Sequence, residues 1–173
     1  MMTDNVNGVR YAIRHLANTG RQHIGFINGY SQAAVSIERL RGFETAMRGC
    51  GMPYSRDSIL HADFTIEGGA KALAELLERC PETDAVFFAS DLMAIGGIQH
   101  CKACGIRIPD DLAIIGFDNI ELGKFVTPAL TTVAQPRYAM GADAADMLVR
   151  MLQDDEQPSG ILLPPELVVR ESA

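Results

Sequence analysis

The sequence has no apolar run long enough to span a bilayer. Met1-Met2-Thr3-Asp4 leads straight into polar residues, so neither a membrane helix nor an export signal is expected. Cations are few and scattered: 15 Lys and Arg stand against 22 Asp and Glu, a net charge of -7 at pH 7. Phosphate binding needs clustered Lys and Arg, so no nucleic-acid surface is expected within these residues. Cysteine is sparse as well. Of Cys50, Cys80, Cys101 and Cys104 only the last two are close, which excludes a secreted disulfide scaffold and points to a cytosolic protein with reduced thiols. There is no G-x-G-x-x-G after a strand, no P-loop and no G-x-S-x-G elbow. Without a nucleophile–base pair or a phosphate loop, an enzyme has no machinery to use.

Cys101-Lys102-Ala103-Cys104 has the spacing of a redox pair or half a zinc site. It falls late in a helical segment, whereas redox pairs sit at a helix N-terminus, where the dipole lowers a thiol pKa. A structural zinc needs four ligands, and Cys50 and Cys80 have no paired partner. No metal and no cofactor is expected.

What is present is 173 residues, 47% of them hydrophobic, enough for one domain with a core. Two periodicities alternate along the chain. Val6, Val9, Ile13, Leu16 and Ala17 recur at helical spacing, and Gly20 follows as a stop. The apolar run 23–28 reads as a buried strand. A helix with Ile37, Leu40, Phe43 and Met47 on one stripe comes next. A weaker strand over 58–61 precedes a helix over 66–79. A strong strand over 84–89 leads to a helix from Asp91, its plausible N-cap, to about Cys104. Strands are expected at 112–117 and 130–133, a helix at 138–152, and extended pieces at 161–163 and 167–169. The glycine pairs Gly68-Gly69 and Gly96-Gly97 fall inside helices, where close packing accounts for them. Strands apolar throughout, separated by amphipathic helices, imply parallel strands covered on both faces: a doubly wound α/β sheet.

Such sheets bind ligands beyond the carboxyl ends of their strands. The residues just past the expected strands are Asn28, Gly29 and Tyr30, then Asp63 and Phe64, Ser90 and Asp91, Asp118 and Asn119, and Gln135, with Arg39 in the helix after the first strand. This set suits a polyhydroxylated small molecule. Asp118 can accept two hydroxyl hydrogen bonds, Arg39 can donate in a fork, and Phe64 can cover an apolar ring face. Each also has an ordinary structural use. Asp91 suits a helix cap, Asp118-Asn119 a loop start, Arg39 a solvated or ion-paired side chain, and Phe64 packing.

Several segments together resemble the lactose-repressor (LacI/GalR) family of transcription regulators. They are Asp4-Asn5 with Gly8, Ala12, His15-Leu16, Gly20-Arg21 and Ile24-Gly25-Phe26-Ile27; Arg39-Leu40-Arg41-Gly42-Phe43; and Ser90-Asp91-Leu92-Met93-Ala94-Ile95-Gly96. Gly105 to Asp111 with Ile115-Gly116-Phe117-Asp118-Asn119, Pro128 to Pro136, and Leu167 to Ser172 complete the set in order. The resemblance implies the C-terminal part of an effector-binding, periplasmic-binding-protein-like domain that senses a small molecule, a carbohydrate above all. Its effector contacts fall on Arg39, Phe64, Ser90, Asp118 and Gln135, the set already reached from the strand ends. Ala33 and Val35 are apolar where some members present polar groups. The resemblance also implies that operator DNA is contacted only through an N-terminal helix-turn-helix head that these residues lack. A periplasmic sugar-binding protein of a transporter shares the fold and is the alternative.

The resemblance further implies a division into a C-terminal subdomain over 1–135, a segment 136–160 returning to a missing N-terminal subdomain, and closing strands over 161–173. It implies a homodimer whose interface includes Ile95, Gln99, Leu122, Phe125 and Val126. Apolar residues in a loop flanked by Glu121 and Lys124 agree with that, although Ile95 and Val126 could equally complete the chain's own core. The helix near 138–152, with Ala144, Leu148, Met151 and Leu152, would lack its packing partner, and could fold back, pair with its copy or swap between chains.

Overall fold

A computed structural model describes residues 2–154 and 160–173; residues 155–159, within the expected returning segment, lie outside the described residues. A six-stranded sheet has the order β3-β2-β4-β5-β6-β8. Its parallel strands are β2 (Ile24–Asn28), β3 (Ile59–His61), β4 (Ala85–Phe88), β5 (Ala113–Asp118) and β6 (Thr131–Ala134). The edge strand β8 (Glu166–Val168) runs antiparallel to β6, the one departure from an all-parallel sheet. Parallel neighbours require crossovers, and the helices supply them: α1 (Asn5–Asn18) and α2 (Ala34–Gly49) pack together, as do α3 (Ile66–Arg79) and α4 (Asp91–Cys104). β1 (Met2–Thr3), which the sequence pattern does not signal, pairs in parallel with β7 (Leu162–Leu163), within the extended piece expected at 161–163, apart from the main sheet.

The strands β2, β4, β5 and β6 are buried at almost every position, which is why they read as continuous apolar runs, whereas β3 and β8 are only partly buried. Phe26 stacks on Phe43 of α2 and on Phe87, and Phe87 meets Phe117 edge-on, tying three strands and a helix into one core. α3 and α4 approach so closely that their backbones touch. A Cβ on Gly96 would lie 1.9 Å from the Ile66 carbonyl oxygen, and one on Gly69 would lie 2.2 Å from that of Met93. The stripe expected on α2 is rotated: Ile37 is exposed, and Ser36 and Arg39 take the buried face. A guanidinium can occupy that face because its donors find partners in Asn5 and the Ala89 carbonyl.

α5 (Arg137–Asp154) stands apart. None of its residues with described side chains is fully buried, and Tyr138 is 92% exposed.

Candidate functional site

The carboxyl edge of the sheet is the strained edge of the molecule. Among the described residues, the only non-glycine residues with positive φ are Phe64 at 62°, Asp118 at 116° and Asn119 at 52°. Each of these conformations costs about 1–3 kcal/mol, which the surrounding contacts must outweigh. All three follow or end a strand, and two of them are expected effector contacts.

Arg39, Asp118 and Gln135 meet. Gln135 Nε2 donates to Asp118 Oδ1 at 2.6 Å, and Arg39 Nη2 lies 3.9 Å from the same oxygen. The Arg39 guanidinium is buried, with Cζ 3.7 Å from the centre of the Phe117 ring; Nε donates to Asn5 Oδ1 at 2.9 Å and Nη1 to the Ala89 carbonyl. Asn5 donates to Glu38 Oε2 at 2.6 Å, and the Thr3 hydroxyl donates to Gln135 Oε1 at 2.9 Å. Thr3, Asn5 and Glu38 are therefore part of the site's frame, although none was expected there. In the sequence the Asp4-Asn5 pair stands out only as part of the family-like pattern.

Asp118 is 28% exposed, and its second oxygen takes no hydrogen bond among the described residues. Burial raises its pKa above the ordinary carboxylate value, while Arg39, the Gln135 hydrogen bond and Arg137 work against that rise. Burial likewise lowers the Arg39 pKa, opposed by Asp118, Glu38 and Asp91. The result is an oriented carboxylate with one oxygen tied down and one free.

Ser90 is nearby in the chain, directly after Ala89, whose carbonyl takes the Arg39 bond. Ser90 is also the true N-cap of α4, its Oγ accepting from the Met93 N–H at 3.3 Å, which leaves its hydroxyl hydrogen free to donate. Asp91, expected as the cap, is instead the first helical residue and is wholly buried. Phe64 lies at the β3 end, away from the charged group. Its ring covers Gly29, where a Cβ would lie 1.8 Å from Phe64 Cζ, and meets the exposed Tyr30 ring edge-on at 5.8 Å. Asp63 is committed to the turn before α3, accepting from the Thr65 hydroxyl at 2.6 Å. Asn28 is committed as well, donating to the Ser36 carbonyl at 3.0 Å and accepting from the Gly29 N–H at 2.9 Å.

The expected interface residues divide. Ile95 is 2% exposed and belongs to the core, because Met93 to Ile98 of α4 are all buried; it cannot face a partner. Val126 is half-buried against the same core, whereas Gln99 and Leu122 are exposed and Phe125 is 76% exposed. In the Cys-x-x-Cys segment Cys101 is buried, which pushes its thiol up to about 12, and Cys104 is exposed. Among the described residues no three His, Cys, Asp or Glu side chains are grouped as a metal site requires. A groove of about 300 Å3 lined by His23, Ile24, Pro53, Tyr54, Cys80 and Thr83 opens at the amino end of β2, opposite the strained edge.

Doubly wound layers with oriented polar groups at the carboxyl edge define a periplasmic-binding-protein-like fold. The sequence pattern of periplasmic binding protein-like domains matches residues 13–173, and the chain belongs to that family. Its relatives within it are LacI-type transcriptional regulators. Over 170 residues it is 38% identical to the HTH-type transcriptional regulator CelR of Thermobifida fusca, covering 98% of this chain and 50% of that protein. Over 170 residues it is 40% identical to the HTH-type transcriptional repressor CytR of Escherichia coli, with the same coverage of 98% and 50%. Among solved structures it superposes on the transcriptional regulator CelR in complex with cellobiose with a TM-score of 0.94 at 37% identity, over 99% of this chain and 53% of that one. The chain thus spans about half the length of the curated relatives it matches. Among the described residues no helix is long and apolar enough to cross a membrane.

Proposed function

We propose that this chain is the effector-sensing part of a LacI-type transcriptional repressor and that its effector is a sugar or sugar-like metabolite. The observation that carries this is the Arg39–Asp118–Gln135 group: a carboxylate with a free oxygen, a buried guanidinium and a side-chain amide at one sheet edge. Adjacent hydroxyls of a sugar can donate to the free Asp118 oxygen, while Arg39 and the Ser90 hydroxyl donate to ring or hydroxyl oxygens. Phe64 offers its ring to the apolar face of the sugar. CelR, solved with cellobiose, supports a carbohydrate class.

Residues 1–135 supply one lobe of a two-lobed cleft, residues 136–160 lead to the other lobe, and residues 161–173 return to the first; the β1–β7 pair and the unpacked α5 support that division. Operator DNA is reached through a head outside these residues, two copies associate, the protein works in the cytoplasm, and it performs no catalysis.

The test is calorimetric titration of the full-length protein with a panel of mono- and disaccharides, followed by Asp118→Ala. Loss of hydrogen bonds to a charged acceptor should weaken binding by about 1.5–3 kcal/mol, roughly ten- to hundredfold in Kd. Unchanged affinity in Asp118→Ala would show that Asp118 is not an anchor, and silence across the whole panel would remove the sugar assignment.

A further inference from the structure

The Asp91 carboxylate is wholly buried at the start of α4, and its two oxygens are engaged by different elements. Oδ1 accepts from the Thr132 hydroxyl of β6 at 2.5 Å. Oδ2 accepts from the Ile120 N–H, in the loop after β5, at 2.8 Å. Gly116 of β5 makes room for it, since a Cβ there would lie 2.2 Å from Oδ1. Thr132 Oγ1 in turn accepts from the Asn119 N–H at 3.2 Å. These contacts converge on Asn119-Ile120, immediately after Asp118, and the two successive residues Asp118 and Asn119 hold positive φ. Such a turn persists only when its surroundings over-determine it. Arg170 and Arg137 hold its outer side, bonding the Asn119 side chain and carbonyl at 2.7 and 2.8 Å. Asp91 holds its inner side.

We propose that Asp91 is a positioning residue of the effector site, fastening the turn that aims the Asp118 carboxylate. This rests on Asp118 being an effector anchor, but the fastening can be tested without any effector. It carries a pH dependence of defined sign. Burial pushes the Asp91 carboxyl up to about 7, with Asp118 adding to the rise and Thr132, Ile120 and Arg170 opposing it. Arg39 is the remaining charged group that senses Asp91. Ionised, Asp91 accepts from both Thr132 and Ile120. A proton on Oδ2 opposes the Ile120 N–H, and one on Oδ1 points at Thr132 Oγ1, whose own hydroxyl hydrogen then loses its acceptor inside the core. The Asn119 N–H bond to that same oxygen is disturbed with it. Falling pH therefore loosens the turn.

The experiment is amide NMR of this chain between about pH 5.5 and 8.5, a window centred on the titration of Asp91 rather than of ordinary carboxylates. The Asn119 and Ile120 amide resonances should move together with a midpoint near 7. In Asp91→Asn that movement should vanish. In Thr132→Val, which removes a hydrogen bond to the ionised form, the midpoint should rise. Flat Asn119 and Ile120 resonances across the range, or an identical titration in Asp91→Asn, would overturn the proposal. If Asp91→Asn fails to fold, Thr132→Val decides: an unchanged or lowered midpoint is the overturning result. A carboxylate that merely supports the fold would change stability without producing a titration at Asn119.

Discussion

Phe64 and Gly29 show how a single missing side chain sets the shape of the site. The Phe64 ring lies where a Cβ on Gly29 would be, so Gly29→Ala must push the ring off the cleft edge. Overpacking of this kind costs about 1–3 kcal/mol, and here it should also abolish stacking. The expected outcome is a modest fall in urea midpoint together with a larger loss of sugar affinity in the full-length protein. Asp91 and Asp118 set the pH response of stability. Both hold protons more tightly when folded than when unfolded, because burial raises both pKa values. Between the unfolded value of 3.8 and about 7 the folded chain therefore carries the extra proton on Asp91, and stability falls as pH rises through that window. A carboxyl raised from 3.8 to about 7 costs the folded chain at most about 4 kcal/mol at alkaline pH. Asp111, held down to about 2 by Arg107, acts in the opposite sense only in more acid solution. Urea unfolding of this chain should show lower stability at pH 8 than at pH 5, and Asp91→Asn should flatten that slope. Equal slopes in the two proteins would mean that Asp91 ionises normally.

At the scale of the elements, α3 and α4 are held by glycines facing backbone rather than by a seam of large side chains. Gly96 is opposed by a carbonyl oxygen, which cannot step aside as a side-chain tip can. Gly96→Ala should therefore destabilise by about 3 kcal/mol, the upper end of the usual overpacking range, and more than Gly97→Ala, whose obstacle is the Phe88 ring. Denaturant unfolding of the two variants compares them directly; a smaller effect at Gly96 would mean that the helices can separate cheaply. The same close packing explains why Ile95 turns inward. A helix pressed on one side by α3 and on another by the sheet has little surface left for a partner, and its apolar residues encircle it instead of forming a stripe.

For the molecule as a whole, two groups stand out among the exposed apolar side chains: the loop with Leu122 and Phe125, and α5 with Tyr138, Leu148 and Leu152. Patches of that kind mark contact surfaces. A dimer is expected by light scattering at tens of micromolar, about the concentration at which modest interfaces are populated. Phe125→Asp should dissociate it if the loop forms the contact, and Leu148→Asp if α5 does; a clean monomer in the parent chain refutes the expectation. With a net charge of -7 the isolated chain should not shift one operator sequence at sub-micromolar concentration in a mobility assay.

Local chemistry was enough to determine which segments are strands and which are helices, because burial on both faces writes a continuous apolar run and crossover helices write a 3.6-residue period. The α/β class, the layer order and the bounds of α3 and α4 follow from that. Gly69 and Gly96 were readable as packing positions because a glycine inside a helix has few other uses. Local pattern could not decide pairings and faces. Two-residue strands such as β1 and β7 have no period, and the reversal of β8 depends on what lies beside it at the edge. Arg39 lies on the buried side of α2 only because Asn5, Ala89 and Asp118, from three separate elements, converge to satisfy it. Asp91 reads in sequence as a helix cap, since Asp before a helical run is what caps look like. Its actual partners are 29 and 41 residues away in the chain, and only the folded sheet brings Ile120 and Thr132 to it.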